Sequence, residues 1–160
     1  MGFLTWLENT GYAQWILTSA SGWALMLSIH ALGLAIVVGV VFALNLRMLG
    51  LYRSLPYTSL RSLMGIGWIG IALNIFSGLS VFTTRPVQYV QSTPFIIKIL
   101  FIVLGIAVLV YTRKTLAREA AGWEAAGAAP PIATWLATAS LAFWIIAVVS
   151  GRLIAYIDYA

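Results

Sequence analysis

The chain has 160 residues, of which 62 % are hydrophobic and only 8 % charged, with a net charge of +5. Its mean hydropathy is +0.99, and an ordinary soluble domain carries about 25 % charged residues. A soluble globule is therefore excluded, because too little polar surface exists to cover one. There is no cysteine, which excludes disulfides, thiol catalysis and cysteine-ligated metals.

The first six residues, Met1-Gly2-Phe3-Leu4-Thr5-Trp6, hold no basic residue, and no small-residue cleavage site follows. The first helix is expected to be retained rather than removed as a signal peptide. Phe3, Leu4, Trp6 and Leu7 fall at helical spacing. Residues 3–12 are read either as a short interfacial helix or as an extension of the first span.

A span needs about 20 apolar residues, and four stretches qualify. The first runs over about 15–46, longer than a bilayer requires, so its start is expected to project or tilt. The second runs over about 62–83. The third opens on Thr93-Pro94, a cap followed by proline at the first helical position, and covers about 94–112. Residues 115–129 are alanine-rich around Trp123 and extend it along the inner interface. The fourth covers about 131–156. The expected fold is all-α: one polytopic membrane domain built as a four-helix bundle. No internal repeat of 20–50 residues and no paired, interrupted helices are evident.

The basic residues sit between the apolar runs instead of forming a nucleic-acid face. Arg47, Arg53 and Arg61 fall in the first loop, and Arg113, Lys114 and Arg118 in the third. The second loop has Arg85, and Arg152 stands near the end of the last span. The positive-inside rule places loops one and three in the cytoplasm and both termini outside, in the periplasm of a bacterial inner membrane. Most Trp and Tyr residues fall near the predicted interfaces. Trp68 and Trp144 lie deeper and are read as packing residues.

Three polar side chains interrupt the spans: His30, Asn74 and Lys98. Such groups are costly in hydrocarbon and face a bundle interior or a site. His30 precedes Arg47 by about 25 Å of helix, Asn74 follows Arg61 by about 20 Å, and Lys98 precedes Arg113 by about 22 Å. Across a hydrocarbon core of about 30 Å, all three share the outer half. Gly22, Met26, His30, Gly33 and Val37 form one stripe, and Gly67, Gly70, Asn74 and Gly78 another. Small residues let helices approach closely, so a His30–Asn74 hydrogen bond between the first two spans is expected.

His30 has three open roles: hydrogen-bonded bundle residue, cofactor ligand or proton relay. Lys98 either snorkels outward on its stem or meets an anion. Arg152 is an interfacial anchor, a propionate partner, or a partner of Asp158. Arg85, Lys98 and Arg152 together make the outer mouth basic, which favours an anionic ligand. The candidate ligand-binding set is thus His30, Asn74, Lys98 and Arg152.

No H-x-E, H-E-x-x-H, G-x-x-x-x-G-K-[ST] or G-x-S-x-G motif occurs, and no carboxylate lies inside a span. Zinc chemistry, phosphate-loop chemistry and paired-carboxylate catalysis lack their residues. Haem b fits a helical bundle, but bis-histidine ligation needs two histidines and this chain has one. A five-coordinate haem on His30, a His/Met haem using Met26 or Met64, or a haem shared between chains remain. So do quinone binding at His30 and small-solute or ion transport. The leading expectation is a non-catalytic subunit or ligand-binding protein that assembles with itself or a larger complex.

The run T-P-F-I-I-K-I-L-F-I-V-L-G-I-A-V-L-V-Y-T-R-K-T-L resembles the lysine-containing helix of bacterial copper-resistance D-like membrane domains. Lys98 and the cluster Arg113-Lys114 carry the likeness. The run S-I-H-A-L-G-L-A-I-V-V-G-V-V-F-A-L-N-L-R-M-L-G is similar to the first helix of small bacterial inner-membrane families, through His30, Asn45, Arg47 and Gly50. The resemblance covers two of four spans and implies a four-helix bacterial inner-membrane protein. It does not extend to copper transport, because one histidine and four methionines are too few for a copper path.

Overall fold

The computed structural model of the protein describes residues 2–157. They form seven helices and no strand: α1 (Phe3–Glu8), α2 (Gly11–Thr18), α3 (Ala20–Met48), α4 (Tyr57–Phe82), α5 (Pro86–Gln91), α6 (Thr93–Ala126) and α7 (Pro131–Ile157). Helices α3, α4, α6 and α7 are long and apolar enough to cross a membrane. At most 28 % of the most apolar stretch of each is buried inside the protein. The remaining apolar side chains face outward, which is tolerable only in lipid. The chain is an all-α, multi-pass membrane bundle.

The four long helices alternate in direction and close into a ring: α3 packs on α4 and α7, and α6 packs on the same two. The loops after α3 and α6 lie at one end, called the Arg47 end below. The short helices gather at the other, the His30 end, where α2 packs on α3 and α4, and α1 and α5 pack together.

The first long helix starts at Ala20, not near residue 15. Ser19 is extended, with φ −91° and ψ 131°, and its hydroxyl accepts from Gly22 N at 2.8 Å, a helix cap. A Cβ on Gly22 would stand 2.7 Å from the Trp15 carbonyl, so the chain can fold back there only on glycine. Residues 3–12 do begin with a short helix of their own, α1, and are not an extension of the first span. They are divided at Asn9 and Thr10, and the Thr10 hydroxyl caps α2 through Ala13 N at 3.3 Å. Phe3, Trp6, Tyr12 and Trp15 stay exposed on these short helices.

Two further boundaries differ from expectation. The second span begins at Tyr57, more than a turn before the apolar run. The third is continuous, as expected, with its alanine-rich extension, through Ala126, and ends where Gly127 turns left-handed at φ +73°. Its cap is Ser92, whose Oγ accepts from Phe95 N at 3.2 Å, rather than Thr93. Helix α5 was not apparent beforehand, since six residues after Arg85 carry no usable period.

At about 1.5 Å per residue, α6 is about 50 Å long, well beyond the hydrocarbon core. Its far end is tied down at the Arg47 end of the bundle. Tyr57 is fully buried, and its ring lies edge-on to Trp123 at 5.8 Å. The Glu124 carboxylate accepts from Tyr57 N at 2.6 Å, satisfying an orphan donor at the start of α4. The Tyr57 hydroxyl accepts from Arg47 Nη1 at 2.9 Å and from Ala129 N at 3.0 Å. The Arg47 guanidinium lies 3.7 Å from the Tyr57 ring centroid and donates from Nε to Leu55 O at 2.6 Å. Arg47 is therefore not a loop charge: it is 3 % exposed and pins the first loop.

One contiguous apolar cluster fills the bundle from this end to mid-height. It includes Val37, Val41, Leu44, Met64, Ile71, Leu109, Leu116, Ala137 and Trp144. A buried bond from Asn45 Nδ2 to Ser140 Oγ at 3.0 Å joins α3 to α7 within it. Trp68 and Trp144 pack as expected, Trp144 directly on Gly105. The cluster reaches no nearer the His30 end than Val37, Ile71, Leu109 and Trp144.

Tyr57→Phe removes the acceptor shared by Arg47 and Ala129. It is expected to cost about 1–3 kcal/mol, the range for a buried donor left unsatisfied, read as a lowered unfolding midpoint in detergent. An unchanged midpoint would contradict this role.

Candidate functional site

Glycines decide which residues meet at the His30 end. The carbonyl of Gly70 lies 2.9 Å from where a Cβ on Gly33 would stand, and the carbonyl of Gly33 lies 2.9 Å from the same point on Gly70. Any larger side chain would hold α3 and α4 apart. One turn nearer the end, the His30 ring passes over Gly78, with Cε1 3.6 Å from its notional Cβ. His30 Nδ1 reaches Ser77 Oγ at 2.9 Å.

The expected His30–Asn74 bond is not formed. Asn74 lies one turn deeper, against Gly33, and its Nδ2 donates to Gly70 O of its own helix at 3.1 Å. Ser77 takes its place, being fully buried and directly opposite the ring. The Ser77 hydroxyl also lies 2.7 Å from Leu73 O. That short contact needs the hydroxyl proton, since two oxygens so close would otherwise repel. Ser77 Oγ must then accept from His30 Nδ1–H, an assignment made from the bonding pattern. In a neutral imidazole the other nitrogen is an acceptor. Nε2 thus presents its lone pair and has no partner among the described residues.

Lys98 enters from the opposite pair of helices. It is half-buried. Its Cδ, Cε and Nζ lie 3.2, 3.3 and 3.5 Å from where a Cβ on Gly151 would stand. The stem is laid against the backbone of α7. The lysine ammonium has no hydrogen-bond or ion-pair partner among the described residues. Arg152 follows Gly151 but is exposed, and the structure does not bring it to His30. Asp158, its suggested partner, lies outside the described residues. Arg85 is half-buried beside α5.

A second hydroxyl repeats the Ser77 arrangement nearer the surface. Ser80 Oγ lies 2.8 Å from Phe76 O and 2.8 Å from the Tyr12 hydroxyl, which fastens α2 to α4. Ser77, Ser80 and Tyr12 were not singled out in the sequence. The signal was present, because Ser77 stands three residues after Asn74 and beside Gly78 on one face.

The arrangement offers a cationic donor and a lone-pair acceptor, and the hydroxyl on the ring, that of Ser77, is engaged with Leu73 O. It does not offer a second haem ligand. Met26 is buried one turn from His30 on the same helix. Met64 belongs to the apolar cluster beside Val41 and Leu44, which are about 16–21 Å along α3 from His30. Neither sulfur stands across the ring. The two best-formed cavities, of about 80 and 130 Å³, are lined by residues around Tyr111 and Trp123 and by Val38, Phe42 and Trp144. Both are below the size of a small-molecule pocket, about 300 Å³, and neither touches His30.

Fold and site together define a small helical membrane protein with a polar cluster toward one end. No family model, curated protein or solved structure matches the chain.

Ser77→Ala removes the acceptor that fixes the ring. The ¹⁵N spectrum of His30 at neutral to mildly basic pH is expected to show one tautomer, with Nδ1 protonated, in the unmodified protein and a mixture in Ser77→Ala. A bond of this kind contributes about 0.6 kcal/mol on average in membranes, so the fold should survive. A protonated Nε2 with bare Nδ1 in the unmodified protein would overturn the assignment.

Proposed function

We propose that this chain is an integral subunit or ligand-binding protein of a bacterial inner membrane, without catalysis of its own. Its site takes an anionic ligand at the His30 end. The basic loops lie in the cytoplasm by the positive-inside rule, so the site and both termini belong to the periplasmic side. The protein assembles with itself or with a larger membrane complex.

One observation carries this reading. Lys98 on α6 and His30 Nε2 on α3 each lack a partner among the described residues, in the part of the bundle beyond the apolar cluster. Polar residues that only fix helix register satisfy one another, as Asn45 and Ser140 do. Lys98 satisfies nothing among the described residues, so register does not account for it. A charge kept in a membrane at this cost marks a binding or transport role. The site holds no group that would make or break a bond, and binding is the simpler function.

Native mass spectrometry tests this on protein extracted from its own membrane in mild detergent. The unmodified chain is expected to retain an anionic molecule that Lys98→Met loses by at least about tenfold, whereas Arg152→Gln retains it. The same spectrum counts the copies in the assembly. Equal retention by Lys98→Met, or no retained or added anion at all, would contradict the proposal.

A further inference from the structure

We propose that α6 and α7 hold a phospholipid with an ammonium headgroup at the Arg47 end, its ammonium on Glu119 and its ester region on the Thr112 hydroxyl. The site stands apart from the anion site at the His30 end.

Thr112 is 3 % exposed, and its hydroxyl has no hydrogen-bond partner among the described residues. Neighbouring threonines bond back to their own helices: Thr115 donates to Tyr111 O and Thr138 to Thr134 O, both at 3.1 Å. Nor is the Thr112 oxygen sealed in protein. Among the described residues, only the Trp68 and Trp144 indole nitrogens are both sealed and unpartnered. The Thr112 side chain instead lines the cavity of about 80 Å³ between α6 and α7. A buried hydroxyl that leaves its own backbone unbonded needs a partner from elsewhere.

Glu119 and Trp123 line the same cavity. Trp123 Nε1 donates to Glu119 Oε2 at 3.2 Å, which holds the carboxylate on this face of α6. The carboxylate has no ion-pair partner among the described residues. None of the described residues lining the cavity is basic, although Arg113, Lys114 and Arg118 stand on the same stretch of chain. One negative charge beside an aromatic ring favours a cationic donor.

Thr112 and Glu119 are seven residues apart, about 10 Å along the helix. Thr112 ends the apolar run of the third span, and Glu119 stands past the basic cluster. The cavity therefore runs from hydrocarbon toward water, with the exposed Tyr111 and Ile132 on its outer edge. A phospholipid matches this layout. Its ammonium lies at the wet end, and its ester carbonyls lie deeper, where they accept from Thr112. A soluble amine would leave Thr112 unmet. The cavity is too small for a whole organic ligand, so the headgroup enters and the acyl chains stay in the bilayer.

The test titrates the full chain in mild detergent, with each Kd read by native mass spectrometry. The probes are short-chain phosphatidylethanolamine, its diether form without ester carbonyls, phosphatidylpropanol, in which a methyl replaces the ammonium, and ethanolamine alone. Phosphatidylethanolamine is expected to bind at least about tenfold tighter than phosphatidylpropanol, the scale of a charge-assisted hydrogen bond. The diether form should bind about threefold weaker or more, the scale of a neutral one. Glu119→Gln keeps an oxygen for Trp123 and should bring the first ratio to within about threefold. Thr112→Val should erase the diether difference. Thr138→Val and Lys98→Met should change neither ratio, which separates this site from the anion site.

Both ratios are read first on the unmodified chain, so they do not depend on a variant folding. Equal binding of phosphatidylethanolamine and phosphatidylpropanol would overturn the ammonium. Ethanolamine binding as tightly as the lipid would overturn the lipid as ligand. Ratios that persist in Glu119→Gln and Thr112→Val would place the lipid elsewhere and overturn the site, as would no binding of any probe.

Discussion

The His30 end depends on how closely α3 and α4 approach. With each glycine carbonyl 2.9 Å from the notional Cβ of its partner at Gly33 and Gly70, the helices touch backbone to backbone. Only at that separation does an imidazole on one helix reach a serine hydroxyl on the other. The lipid phase supplies no hydrophobic force between helices, so small residues and good packing must bring them together. The contact then determines the chemistry. It places Ser77 opposite His30 and selects which ring nitrogen is protonated.

The two ends of the bundle solve the problem of polar groups in hydrocarbon in contrasting ways. At the Arg47 end the guanidinium is met by Tyr57 and Leu55, and the first backbone N–H of α4 by Glu124, while the buried indole N–H groups of Trp68 and Trp144 at mid-height have no partner among the described residues. A continuous apolar cluster stands directly above. At the His30 end the apolar cluster has stopped, and His30 Nε2 and the Lys98 ammonium have no partner among the described residues. Rigidity at one end and unmet bonding capacity at the other suit a protein that holds a ligand rather than transforms it.

Much of this was legible in the chain. The four spans follow from apolar runs and bilayer thickness alone, and the stripe Gly67, Gly70, Asn74 and Gly78 marked the face on which α4 meets α3. Counting residues from the basic loops put His30, Asn74 and Lys98 at one depth, each inside a long helix. Partners were less legible. Asn74 looked the better match for His30 because it shares its depth and lies on the glycine stripe, yet an offset of about one turn gives that place to Ser77. A serine inside a helix is hard to weigh, since it so often bonds back to its own backbone, and Ser77 does so while also accepting from His30. Arg47 resembled the other loop arginines, and nothing local distinguishes a buried guanidinium from an exposed one. The break at Ser19 was hidden by apolar residues on both sides, because hydropathy does not register a serine cap and a glycine fold. The direction of Lys98 was undetermined until α7 presented Gly151.

The central claim is that the polar half of the bundle is reachable from the His30 end and the apolar half is not. The chain has no cysteine, so single cysteines report without background. A Cβ at Gly78 meets the His30 ring at an ordinary 3.6 Å, whereas Val41 is 1 % exposed inside the apolar cluster. Labelling with a membrane-impermeant maleimide, applied to each face of the membrane in turn, compares Gly78→Cys with Val41→Cys. The account predicts that Gly78→Cys reacts from the periplasmic face alone and is protected by the ligand, while Val41→Cys reacts from neither. Equal reactivity at the two positions, or labelling of Gly78→Cys only from the cytoplasmic face, would contradict it.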